Sequence, residues 1–312
     1  MHNVLIVDPS DYKDVISNIF SERGFKVQEA ESAFDAMAKL KIFDFDLIVS
    51  EVDLPGDNSF ELYNYIQTNY PYIPAIMVTE KQIDTFFDQI FKEGIGNVLC
   101  KPLVEDELLR LTEKLISGKK IFGLRNYMVD LEESKKIKIN SSDKIDGSID
   151  KALKQIEDWG FKIANKTTLR LVLNELIINA VYHSHGRKNE KEKRKQIQLE
   201  KGEHVDLAYA MSHKGYALSI TDYNGQLSKM TILENIHKAI KQSQMILAAF
   251  ESGEDVSFDV SETGRGLDFL RKIAKDYYFI IKKDVRTEII ILFTDDKAHK
   301  DREASLKILE YV

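Results

Sequence analysis

The sequence predicts two domains of different classes: an α/β doubly wound parallel sheet followed by an α+β domain. Three observations carry that prediction. Short, continuously apolar runs alternate with helix-period stretches over the first third of the chain. The remainder instead groups its helices ahead of a set of longer strand-like segments. The length of 312 residues is enough for each part to bury a core of its own.

In order along the chain, "VLIV" (Val4–Val7), "DLIV" (Asp46–Val49), "AIMV" (Ala75–Val78) and "NVLC" (Asn97–Cys100) are too short for helices. Their unbroken apolarity suits strands buried on both faces. Ile83, Phe86, Phe87, Ile90 and Phe91 follow the spacing of one helical face, as do Leu108, Leu111, Leu115 and Ile116. Such alternation implies a parallel sheet with function at the carboxyl ends of its strands. Beyond it, "KKIKIN" reads as a strand, and Ser141 and Ser142 stand where they can cap the helix of "IDKALKQIEDWGF". "TTLRLVLNELIINAVYHS" reads as one long apolar helix, and "RKNEKEKRK" (Arg187–Lys195) as a solvated loop. "VDLAYAMS", "YALSITD", "YYFIIKK" and "TEIIILF" supply an antiparallel sheet. The organisation expected is therefore 1–118 for the first domain, 119–140 for a linker and first strand, and 141–312 for the second domain.

Composition narrows the function. A net charge of −7 gives no reason to expect nucleic-acid binding. Cys100 is the single cysteine, which excludes disulfide frameworks and cysteine-rich zinc sites. No apolar stretch approaches the ~20 residues of a spanning helix, and no basic-then-apolar leader opens the chain, so a cytoplasmic protein without membrane contact is expected.

Four polar residues, Asp8, Glu51, Thr79 and Lys101, stand at the carboxyl ends of the four predicted strands, where a parallel sheet would gather them into one pocket. With "DLIVSEVDLPG" and Lys101–Pro102, residues 1–118 resemble the receiver domain of bacterial response regulators. The resemblance places Glu51 at the phospho-accepting position, usually aspartate. It assigns Thr79 to the phosphoryl oxygens, Lys101 to the lysine and cis-proline pair, and Asp8 to a magnesium site. Pro9 replaces a second acid there, which weakens that site, and Glu80 puts a further negative charge beside the pocket. Glu51 is one methylene longer than aspartate, which misplaces its carboxylate by about an ångström for aligned attack. Asp53 is a substitute acceptor only from the loop. The reading is a pseudo-receiver in which Glu51 imitates the phosphorylated state and pairs with Lys101; an inert scaffold and true phosphorylation stay open beside it.

In "LNELIINAVYHSHG", Glu175, Asn179 and His183 recur at i, i+4 and i+8 along a stripe of an apolar helix, where polar groups are costly unless paired or facing a ligand. Asp222 ends a strand before a turn with Gly225, and Gly264 and Gly266 open a helix in "SETGRGLDFL". Together these resemble the GHKL-type (Bergerat) ATP-binding fold of histidine kinases, over residues 120–295, and within it the anti-sigma-factor serine kinases. That resemblance implies ATP and magnesium as cofactors, with Glu175 as general base and Asn179 as magnesium ligand. It places Asp222 on the adenine amino group with Thr287 beside it, Gly264 and Gly266 along the phosphates, and His183 next to the pocket. Asn224 and Gln226 stand where the family has glycines, with Gly225 between them taken as the glycine of this turn on the nucleotide. The segment between "QLSK" and "ETGRG" is helix-like, as a lid or a partner contact. The function implied is a signalling regulator that phosphorylates a partner protein on serine or threonine, or sequesters it. An anti-sigma-factor antagonist-like protein or a sigma factor is the expected partner, and a homodimer the expected assembly. The alternative is a non-catalytic binding or scaffold module. A histidine autokinase is disfavoured, since none of the seven histidines falls in 119–160.

Overall fold

The computed structural model describes residues 2–54, 59–252, 265–274, 276–294 and 303–311. Gly264 lies outside the described residues. The chain divides into two units, Met1–Lys119 with Ser305–Lys307, and Lys120–Ala304 with Ile308–Val312.

The first unit alternates β1 (Asn3–Val7), α1 (Tyr12–Glu22), β2 (Lys26–Ala30), α2 (Ala33–Leu40), β3 (Leu47–Glu51), α3 (Ser59–Asn69), β4 (Ala75–Thr79), α4 (Phe87–Glu93), β5 (Asn97–Cys100) and α5 (Glu105–Ser117). The five strands are parallel in the order β2-β1-β3-β4-β5. All five residues of β3 and of β4 are buried, as apolarity on both strand faces demands. Each fully buried Val, Leu or Ile there contributes about 1.5–3 kcal/mol of transfer free energy. The four apolar runs are four of the five strands. The fifth, β2, is the edge strand "KVQEA", whose exposed Lys26 and Glu29 hide it from a search for apolar runs. The stretch from Ile83 is not one helix: a 3₁₀ turn over Ile83–Phe86 precedes α4. Acidic residues crowd the first turn of α5, Lys114 sits in its last, and Gly118 closes it in the left-handed conformation.

The second unit contains β6 (Glu133–Ile139), α6 (Ile145–Asp158), α7 (Lys166–Ile178), α8 (Lys188–Glu192), β7 (Val205–Ser212), β8 (Gly215–Asp222), α9 (Lys229–Ser252), α10 (Arg265–Ile273), β9 (Asp276–Lys282) and β10 (Arg286–Thr294). Its strands run β6-β7-β8-β10-β9, antiparallel throughout, and Ile308–Tyr311 of β11 (Leu306–Tyr311) lies parallel to β9. The result is a mixed sheet, with α6 packed on β6 and β7 and with α7 against both α6 and α10.

Two local expectations change. Neither Ser141 nor Ser142 caps α6; Ser142 Oγ instead accepts the N–H of Ile197 at 3.0 Å. The long apolar helix is also not uniform. Regular α geometry ends at Ile178, and Asn179–His183 form a single π-helical turn, a distortion frequent at functional sites. Among the described residues, no helix is long and apolar enough to cross a membrane.

Candidate functional site

In the first unit, β1, β3, β4 and β5 end at adjacent levels of one sheet and bring Asp8, Glu51, Thr79 and Lys101 to its carboxyl edge. Lys101 Nζ lies 2.5 Å from Glu51 Oε2 and 2.9 Å from Asp8 Oδ2, with all three side chains buried. Glu51 Oε1 accepts the backbone N–H groups of Val52 and Asp53 at 2.8 and 3.2 Å. Asp8 Oδ1 accepts both the N–H and the hydroxyl of Ser10, at 2.8 and 2.6 Å. Thr79 Oγ1 accepts the N–H of Lys81 at 3.0 Å. The Lys101–Pro102 peptide bond is cis.

Burial pushes the Glu51 carboxyl above the ordinary carboxylate range, against the opposing pull of its bond to Lys101. Burial also draws the Lys101 ammonium down, but its bonds to Glu51 and Asp8 outweigh that and hold it above the lysine range. The ammonium thus occupies the point between the two carboxylates where a cation belongs. Both oxygens of Asp8 are committed, and Pro9 offers no ligand, so the residues present do not fit magnesium here. Asp53 is exposed and paired with Lys81 at 2.7 Å, away from any acceptor role in the pocket, and Glu80 is exposed.

In the second unit, strand alternation decides what faces the helices. Thr287 stands opposite Asp222 and Ile289 opposite Ile220, on the same sheet face as Leu207 and Tyr209. Between this face and the π turn lies a cavity of about 430 Å³, within the range of small-molecule sites. Glu175, Asn179, His183, Asp222, Gly266 and Thr287 all line it. Residues as far as 112 positions apart in the chain therefore meet around one space.

At one end, Asp222 Oδ1 accepts the N–H groups of Asn224 and Gly225 at 3.1 and 3.0 Å, which leaves Oδ2 for a ligand. Burial raises the Asp222 carboxyl above its usual range despite those two bonds. The Thr287 hydroxyl is buried and has no partner in good hydrogen-bond geometry; its one polar contact is a poorly formed one to Asp222, which draws that carboxyl's pKa down. A buried orphan hydroxyl costs about 1–3 kcal/mol, a cost that a ligand donor or acceptor would remove. Gly225 does not line the cavity, contrary to its expected place on the nucleotide. It holds φ +59°, and a Cβ there would stand 2.4 Å from the Lys282 carbonyl, so its task is to let the turn press under the β9–β10 hairpin. Asn224 ties this turn to the residue after the π turn: its Nδ2 donates to the Ser184 carbonyl at 3.0 Å.

At the other end, Asn179 Nδ2 reaches Glu175 Oε1 at 3.4 Å. Gly266, in the first turn of α10, lets that helix close on α7: a Cβ would fall 2.5 Å from Glu175 Cγ. Lys191, from the run read as a solvated loop, donates to Asn179 Oδ1 at 2.7 Å and lies 3.5 Å from Glu175 Oε1. Its neighbour on the short helix α8, Lys188, lines the cavity. Burial lowers the His183 pKa, and Lys191 and Lys188 lower it further, which favours the neutral ring. Sequence reasoning missed both lysines, because nothing in a charge run marks which member turns inward. Thr231 and Asn235 bring the start of α9, the expected lid or partner segment, to the cavity wall. The orphan hydroxyl, the free Asp222 oxygen and the close-packed Gly266 fit a nucleotide. Asn179 and Glu175 offer the oxygen donors magnesium takes.

Residues 4–113 match the response regulator receiver domain family, and this part of the chain is such a domain. Chemotaxis protein CheY-3 of Vibrio cholerae is 26% identical over 116 residues, which span 36% of this chain and 89% of that protein. Response regulator protein FleR of Pseudomonas aeruginosa is 25% identical over 115 residues, 37% of this chain but only 24% of that protein. A solved CheY-like receiver domain protein from Methanospirillum hungatei shares 26% identity over 38% of this chain and 98% of its own, with a TM-score of 0.36. The first unit is thus a response regulator receiver domain.

Proposed function

We propose that the chain is a signal-transduction regulator that works without phosphorylation of its receiver domain and acts through ATP bound in the second unit. Glu51 stands for the phosphorylated aspartate: its carboxylate is already held by two backbone N–H groups and Lys101. The second unit, which resembles the GHKL-type ATP-binding fold, presents the adenine amino group to Asp222 and Thr287 and the triphosphate to Asn179, Gly266 and Lys188. Magnesium, when bound, neutralises charge on the phosphates. Glu175 takes the proton of a partner serine or threonine hydroxyl as that oxygen bonds to the γ-phosphorus. The bond from phosphorus to the β–γ bridging oxygen breaks, and ADP leaves. The partner is of the anti-sigma-factor antagonist or sigma-factor kind, and the assembly is a homodimer.

The observation that carries this reading is the unpartnered Thr287 hydroxyl beside Asp222, at one end of a cavity whose other end holds Glu175 and Asn179. Calorimetric titration with ATP tests it. Binding to the wild type, weakened at least tenfold in Asp222→Asn, supports it; equal binding to both sinks it. A second reading, a non-catalytic module that binds its partner under the control of ATP, is favoured by Lys191, whose ammonium lies 3.5 Å from the proposed base. Phosphotransfer that is present in the wild type and lost in Glu175→Ala rules out that second reading. For the receiver, Glu51→Asp treated with acetyl phosphate gains a phosphoryl group if one methylene is what prevents acceptance.

A further inference from the structure

The charge run after α7 contributes Lys188 to the cavity wall and sets Lys191 against two cavity residues, Asn179 and Glu175. Lys191 Nζ donates to Asn179 Oδ1 at 2.7 Å, lies 3.5 Å from Glu175 Oε1 and 3.4 Å from His183 Nε2. An imidazole, a carboxamide oxygen and a carboxylate oxygen thus surround one ammonium. The positioning is built from the backbone: Gly186 turns the chain at φ +69°, Arg187 N bonds to the Tyr182 carbonyl at 2.7 Å, and α8 then projects Lys188 and Lys191 on one side. Spacing of three residues puts both amines on the same helical face.

Resting on the nucleotide reading above, we infer that Lys191 is the resident cation of the phosphate end, so that the triphosphate binds even when magnesium is absent. Lysine is a compact point charge suited to phosphate oxygens. Lys188, itself on the cavity wall, adds a second positive charge that offsets Glu175. A magnesium ion that bound to Asn179 Oδ1 would have to displace an ammonium already hydrogen-bonded there. Magnesium and Lys191 are therefore competitors for one oxygen.

The test is the affinity of the full chain for ATP, measured by calorimetry with excess EDTA and again with excess magnesium chloride. The wild type is expected to bind ATP within about threefold of the same affinity in both buffers. Lys191→Met is expected to weaken binding at least tenfold in EDTA, with recovery on adding magnesium, and Lys191→Arg to restore the wild-type pattern. The 22% exposure of the Lys191 side chain makes both substitutions compatible with folding, and circular dichroism confirms it for each. Wild-type binding that vanishes in EDTA, or a Lys191→Met that keeps the wild-type ratio, overturns the inference while leaving the nucleotide site in place. No ATP binding by any variant in either buffer overturns both.

Discussion

Each unit of this chain gathers carboxylates, a lysine and a threonine around one place, and the two groups end in opposite states. At the sheet edge of the receiver domain every group is spoken for. Glu51 and Asp8 share Lys101, and Thr79 accepts a backbone N–H. In the second unit the lysine is partly exposed, Asp222 Oδ2 takes no backbone N–H, and the Thr287 hydroxyl has no partner in good geometry. The difference separates a polar cluster that serves as structure from one that awaits a ligand. The first closes on itself, whereas the second holds an open cavity and bears the cost of unmet hydrogen bonds.

The largest effect that would sharpen the contrast comes from the two lysines. Lys101→Met leaves two buried carboxylates facing each other and should cost the first unit about 3–5 kcal/mol. Lys191→Met removes a partly exposed pair and should cost the second unit less than about 1 kcal/mol. Urea denaturation followed by probes in each unit measures both, and equal losses would erase the distinction. Next is Gly266→Ala, where a methyl group must enter the space of Glu175 Cγ. Overpacking of this kind costs about 1–3 kcal/mol, and ATP affinity should fall at least tenfold with it.

The threonines offer a smaller but more pointed comparison. Thr79→Val strands the Lys81 N–H and should destabilise by about 1 kcal/mol. Thr287→Val removes an orphan hydroxyl and should leave the ligand-free protein as stable or more so, while weakening ATP binding. Thermal melts with and without ATP read both; destabilisation of the free protein by Thr287→Val would mean that the hydroxyl is already satisfied. The smallest expected effect is on pH. Lys101 is raised in the folded state, so its contribution is complete below the ordinary lysine pKa of about 10.4. It is lost as pH rises through its higher folded value. On the alkaline side, the stability gap between wild type and Lys101→Met should therefore narrow above about pH 10.4.

What could be read from the chain follows the same divide. Strands buried on both faces advertise themselves as apolar runs, and Asp8, Glu51, Thr79 and Lys101 were legible because each directly ends or follows such a run. The edge strand β2 was not, since its outward residues are charged. In β11, Lys307 interrupts the apolar run but is itself fully buried with Glu107 as partner, a pairing invisible from local sequence. Asp222 and Thr287 could be singled out from strand ends and resemblance. Their registration opposite each other, however, depends on β8 and β10 pairing across 65 residues. Lys191 was illegible, because a turn at Gly186 and a π turn decide where it points.

That π turn has a consequence for chain length. It holds one residue more than an α turn, and an α-helix advances about 100° per residue. Excising Ala180 would let the helix close in regular register and swing His183, Gly186 and the whole of α8 around the axis, carrying Lys191 away from Asn179. A surface loop tolerates such a deletion; this stretch should not, even with every side chain named above still present in the gene product.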